Sequence, residues 1–166
     1  MFFVHQDKSA TRTNRPANAL RLAISLLIVM ALSGSDVLAA ESSPVGLWKT
    51  IDDNSGKPGG LIRIVQVDGQ YQGKIEKIFP DPGEDPNPRC VKCDGARRDQ
   101  PVIGMTFLWG LTKQGDEFQG GEILDPKNGR IYRAKMKLED SGKTLHVRGF
   151  IGFSLLGRTQ IWYREE

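Results

Sequence analysis

Cysteine and histidine are scarce in this chain of 166 residues, with two of each. A Cys/His zinc cage or an iron–sulfur cluster needs more ligands than that. An excess of one charge is missing as well: 23 Lys plus Arg stand against 20 Asp plus Glu, for a formal charge of +3. With 39% hydrophobic residues, that balance excludes disorder and supports one core in one domain. Long uninterrupted elements are also lacking, because 19 glycines and 9 prolines punctuate the chain. Such punctuation disfavours long helices and suits short strands joined by turns.

A bilayer-spanning run is absent too. Leu22 to Leu32 carries no charge but covers only 11 residues, where a transmembrane helix needs about 20 and a signal-peptide centre about 7 to 15. Lys8, Arg12, Arg15 and Arg21 precede it, and Val37-Leu38-Ala39-Ala40 places small residues where signal peptidase cuts. Residues 1–39 are therefore expected to be a signal peptide cleaved after Ala39 or Ala40. Residues 40–166 then form one exported domain, periplasmic or secreted, with no transmembrane segment. Four of the cations and two of the carboxylates belong to residues 1–39, so the exported part is close to neutral. Nucleic acid is not an expected partner for such a chain.

Polar and apolar residues alternate over short runs in the remainder, with turn residues about every 8 to 12 positions, as in all-β sandwiches and barrels. Eight strands are expected: 45–51, 61–67, 70–79, 105–111, 117–124, 130–138, 143–151 and 158–164. Tyr132, Ala134, Met136 and Leu138 share one face, and Arg133, Lys135 and Lys137 the other. Tyr71, Gly73, Ile75 and Phe79 form a similar apolar face, which Lys77 interrupts. Short loops and the absence of helical periodicity favour an antiparallel up-and-down barrel of eight or more strands, closed so that no edge is left. Tyr71, Ile75, Phe79, Tyr132 and Met136 are the candidate ligand-binding residues of its interior, where Gly73, Ala134 and Gly149 could leave space.

One segment breaks the rhythm. Residues 80–101 contain Pro80, Pro82, Pro86, Pro88 and Pro101, which excludes helix and central strand. Long loops of this kind are usually functional or mobile. Within it Cys90-Val91-Lys92-Cys93, in an exported protein, is expected to form a disulfide pinning the loop.

Catalytic patterns are weak, and no cofactor or metal is expected. Gly152-Phe153-Ser154-Leu155-Leu156-Gly157 is one residue too long for a nucleophile elbow. His146 is the sole imidazole after residue 39 and reads as a strand surface residue. Asp52-Asp53-Asn54-Ser55-Gly56 has its glycine one position early for a calcium loop and lacks the closing glutamate. The stripe Arg133, Lys135, Lys137, with Arg130 and Arg148 near it in sequence or pairing, offers a surface for anionic lipid or polysaccharide; the favoured reading is a solvated strand face with acidic residues interspersed nearby.

Several motifs in order carry a family resemblance: Asp85-Pro86-Asn87-Pro88, the Cys90–Cys93 pair, residues 100–105 (QPVIGM), 120–126 (GGEILDP), 147–152 (VRGFIG) and 155–160 (LLGRTQ). Over residues 45–164 the chain resembles the bacterial exported family called domain of unknown function 2147. That resemblance implies export and a barrel like those of lipocalins and fatty-acid-binding proteins, without an established activity. Gly46-Leu47-Trp48 further resembles the Gly-x-Trp of lipocalins, whose tryptophan plugs the closed end beneath an arginine from the last strand. Arg164 or Arg158 would supply that arginine, making Trp48 and its cover structural. The expectation is thus a non-catalytic exported barrel binding a small apolar or amphipathic ligand. The alternative is a filled barrel acting through its long loop as an envelope-associated interaction or stress-related protein, with an envelope protein as partner.

Overall fold

Alternation with period two and short turns produce eight antiparallel strands in the computed structural model, which describes residues 43–53 and 55–166. The expected signal segment lies outside the described residues. The strands are β1 (Gly46–Ile51), β2 (Pro58–Val67), β3 (Gln70–Ile78), β4 (Thr106–Gln114), β5 (Glu117–Asp125), β6 (Arg130–Glu139), β7 (Thr144–Phe150) and β8 (Gly157–Arg164). Each pairs with its sequence neighbour, and β8 returns to β1 through Trp48↔Arg164, Lys49↔Tyr163 and Thr50↔Trp162, closing the barrel. Closure leaves no unpaired edge.

The expected strands are all present, with shifted ends. β2 starts at Pro58 rather than Leu61, since Pro58 is tolerated as a first strand residue and pairs with Ile51. β4 runs on past Leu111 to Gln114, which pairs with Glu117, so the turn is the two-residue Gly115-Asp116. The interruption at Lys77 has a physical cause. Leu61 pairs with Lys77 and Ile62 with Ile75, so Glu76 is an extra residue that bulges and re-aims the strand. Beyond the bulge it is Ile78 that packs against the core, while Lys77 is exposed.

The long loop is built rather than slack. Cys90 and Cys93 are joined, with Cα atoms 5.3 Å apart, and both are buried. Arg89 and Pro101 form a bridge; Cys90 N–H donates to Gln100 O at 2.9 Å and Val102 N–H to Pro88 O at 2.9 Å. Gly104 and Met105 continue the ladder by pairing with Ile75. Outside the barrel, the Arg97 guanidinium stacks on Trp109 of β4 at 4.4 Å, whose Nε1 donates to Glu122 at 3.1 Å. The turn between the cysteines abuts the β5–β6 turn. There Gly129 has φ +74°, and a Cβ on it would overlap the Lys92 carbonyl.

Candidate functional site

The interior is divided into a packed half and an open half. At one end Trp48 is fully buried, and its indole N–H donates to Pro44 O at 2.8 Å. The Arg164 guanidinium lies 4.2 Å over the Trp48 ring. Its Nε donates to Gly142 O at 2.7 Å, Nη1 to Val45 O at 3.0 Å and Nη2 to Ser43 O at 2.8 Å. Gly46 is needed beside them: its φ is +143°, and a Cβ would lie 2.8 Å from Arg164 Nη1. Arg164, not Arg158, therefore covers Trp48. Arg158 sits at the opposite end, ion-paired with Asp53 of the β1–β2 loop, because the six-residue separation on β8 spans the barrel.

Above Trp48 the side chains of Ile64, Leu108, Leu111, Phe118, Met136 and Leu145 are nearly inaccessible and fill the bore. Tyr71 meets Phe118 edge to face at 4.8 Å between ring centres. Of the interior candidates, Tyr71 and Met136 lie in this packed half and do not line the cavity beyond it. Gly73 likewise does not leave space: a Cβ there would lie 3.1 Å from Leu108 Cβ and 3.3 Å from Ile64 Cδ1, so its missing side chain admits those two. Ala134 is buried and outside the cavity lining.

At the other end the filling stops at the level of Ile62, Ile75, Phe107, Val147 and Trp162. From there a cavity of about 1480 Å³ opens between the β1–β2, β3–β4, β5–β6 and β7–β8 loops. Ile75, Phe79 and Tyr132 line it, as does Gly149, where a Cβ would come within 3.3 Å of Ile123 Cγ2. Deep in it the Phe107 and Trp162 rings lie 6.1 Å apart, and the Trp162 N–H reaches Gln160 Oε1 at 3.3 Å. Trp162 escaped sequence reasoning, although its spacing of two from Arg164 puts both on one face of β8.

The mouth is charged. Lys57 Nζ bonds to Asp81 Oδ1 at 2.7 Å, tying the β1–β2 loop to the long loop, and this hydrogen bond raises the Lys57 pKa above the ordinary lysine value. Lys77 Nζ stands 5.1 Å over the Phe79 ring. Arg89 also lines the mouth. His146 is on the outer surface between Lys137 and Ile161 and does not touch the cavity. Among the described residues no cluster of three His, Cys, Asp or Glu could hold a metal, and no helix is long and apolar enough to cross a membrane.

Residues 46–164 match the family described as an uncharacterized protein conserved in bacteria (DUF2147). The chain belongs to this family. A solved structure of protein HP1028 from Helicobacter pylori, described as belonging to the lipocalin family, superposes with a TM-score of 0.64 at 16% identity, covering 75% of this chain and 84% of that one. The likeness is one of fold: a closed antiparallel barrel of the lipocalin type. No curated protein matches the chain in sequence.

Proposed function

We propose that this protein is an exported, non-catalytic barrel that holds a small amphipathic molecule in its open half. The observation that carries the reading is the continuous cavity of about 1480 Å³, well above the roughly 300 Å³ expected of a small-molecule site. Its deep wall is apolar and aromatic, through Ile62, Ile75, Phe107, Val147 and Trp162, so an alkyl or aromatic tail would be desolvated there. Its rim presents Lys77 and Arg89, neither of which has a carboxylate partner among the described residues. An acidic head group at the mouth complements them. A filled barrel acting through its surface is disfavoured by the same cavity, and the anchored long loop serves as one wall of it. The paired cysteines and the segment before Ala40 support export into an oxidising compartment.

Native mass spectrometry of the protein purified from its own cells, before any delipidation, tests this. An adduct in the mass range of a single-chain or double-chain amphiphile is expected. A bare chain that also fails to quench Trp162 fluorescence on titration with fatty acids and lysophospholipids would overturn the reading.

A further inference from the structure

Four of the six residues at 151–156, in the β7–β8 loop, are large and apolar, and all four are exposed: Ile151 by 62%, Phe153 by 80%, Leu155 by 88% and Leu156 by 71%. Single exposed apolar residues are ordinary, but a contiguous group marks an interaction surface. The loop is not a frayed tip. Ile151 N–H donates to Leu156 O at 3.1 Å and Leu156 N–H to Phe153 O at 3.0 Å. From the strand face beneath, Arg148 Nε donates to Ser154 O at 2.6 Å and Nη2 to Leu155 O at 3.2 Å, while Nη1 donates to Thr159 Oγ1 at 2.9 Å. Backbone carbonyls are thus held toward the barrel and the side chains are turned out. A loop with its backbone bonded in this way loses little when water is replaced by an apolar phase.

Charge says what kind of phase. Between Ser141 and Arg164 there is no acidic residue; of the cations in that stretch Arg148 and Arg158 stand at the mouth end, Arg158 paired with Asp53, and Lys143 and Arg164 at the closed end. On the neighbouring β6, Arg133 pairs with Phe150 at the base of the loop, and Arg130 stands nearer the mouth. Neither has an ion-pair partner among the described residues, whereas Lys135 and Lys137, farther from the mouth, are bound to Glu117, Asp116 and Glu139. Two cations without an ion-pair partner among the described residues, Arg130 and Arg133, therefore stand at the loop end of the barrel. Of the mouth's carboxylates, Asp81, Glu84 and Asp85 belong to the β3–β4 loop, halfway round the barrel from β7–β8; on the flanking loops Asp53 is paired with Arg158 and Asp52 bonds to Ser55, while Asp125 stands opposite Arg130 in the β5–β6 register. An apolar tip beside unpaired cations fits an anionic lipid surface.

We infer that the β7–β8 loop docks this protein on anionic membranes, with Phe153, Leu155 and Leu156 entering the interface and Arg130 and Arg133 meeting head groups. Ile151 and Leu156 also line the cavity, so docking places the barrel mouth against the lipid from which an amphiphile would enter. This second point rests on the proposed ligand reading; the docking itself does not.

The test is flotation of the protein, purified in the form found in its own cells, with vesicles of phosphatidylethanolamine and phosphatidylglycerol or of phosphatidylcholine alone. Binding to the anionic vesicles is expected, with a loss of about tenfold on raising salt from about 0.05 M to about 0.5 M. Phe153→Ser with Leu155→Ser, both in exposed positions, should weaken binding by about tenfold or more while the melting temperature holds. Arg130→Glu with Arg133→Glu should abolish the preference for anionic vesicles. Absence of flotation, or flotation equal in both variants and wild type, would overturn the inference. So would sedimentation showing a dimer that the Ser variant dissolves without vesicle binding, since the loop would then be a contact between copies. Fatty-acid titration of the Ser variant separates the two proposals: docking lost with affinity kept bears on the loop, and affinity absent in wild type bears on the cavity alone.

Discussion

Replacing Gly129 by alanine probes whether the long loop is braced against the barrel. Gly129 has φ +74°, Gly69 has φ +78°, and both sit in hairpin turns. Around Gly69 nothing lies within 4 Å of where a Cβ would be, whereas at Gly129 the Cβ would overlap the Lys92 carbonyl and lie 3.1 Å from Cys93 N. The two substitutions share the backbone term, a left-handed conformation that costs an L-residue roughly 1–2 kcal/mol and is partly offset by the stiffer unfolded chain. Gly69→Ala should thus lose about 1 kcal/mol. Gly129→Ala must also push back the Lys92 carbonyl in the turn that the buried Cys90 and Cys93 anchor, and overpacking of that kind costs about 1–3 kcal/mol. The expected total is near 3 kcal/mol. In urea, with m of about 2 kcal/mol/M for a domain of this size, the midpoint should fall by about 0.5 M for Gly69→Ala and about 1.5 M for Gly129→Ala. Equal shifts in the two variants would show that the loop does not bear on the β5–β6 turn, and the account of how the cavity wall is held would fail with it.

Other expectations separate residues that look alike in sequence. Arg164→Ala removes four bonds to carbonyls, of Ser43, Val45, Gly142 and Glu166, and the stack on Trp48, and should cost about 2–4 kcal/mol by chemical denaturation, whereas Arg158→Ala, which breaks only an exposed pair, should cost under about 1 kcal/mol. Replacing Cys90 and Cys93 together by alanine should cost about 2 kcal/mol, as the short closed loop restrains little of the unfolded chain; calorimetry in non-reducing buffer would show it. Gly149→Leu fills space beside Ile123 and Tyr132, and should weaken amphiphile binding by about tenfold in a fluorescence titration while the melting temperature stays within a few degrees. The Lys57 pKa is raised by Asp81, so that link contributes below the ordinary lysine value of 10.5 and is lost as pH climbs past it. Lys57→Met should accordingly flatten any decline in melting temperature seen in that alkaline range.

Strand alternation made the barrel legible. Tyr132, Ala134 and Met136 do face inward along β6, and the eight strands close in simple sequence order. The bulge at Glu76 was not legible, because a period of two cannot announce where an extra residue will be inserted; it registered only as an unexplained lysine on an apolar face. Depth along the bore was equally hidden. Alternation assigns a side chain to the inner face but not to a level, so Tyr71 and Met136, among the packed layers, looked the same as Ile75 and Tyr132, which line the cavity. Arg158 and Arg164 were likewise indistinguishable until the β1–β8 register put Arg164 opposite Trp48.

The two interior glycines show why emptiness could not be read from residue size. Gly73 and Gly149 both lack a side chain on the inner face, yet Gly73 lets Leu108 and Ile64 approach and close the bore, while Gly149, approached within 3.4 Å by Ile123 alone, still lines the cavity. What differs is the supply of large neighbours at each level. In the packed half, Leu108 and Leu111 from β4, Phe118 from β5 and Leu145 from β7 converge. In the open half the strands end in loops, and in the β7–β8 loop Phe153 and Leu155 point to solvent instead of inward. Had the β7–β8 loop folded over the mouth, those side chains would have filled much of the space above Trp162. Arg148 prevents this by holding the carbonyls of Ser154 and Leu155 on the outside of the barrel. The same contact therefore keeps the cavity open and the loop exposed, and Arg148→Ala should alter both, lowering ligand affinity and vesicle binding together.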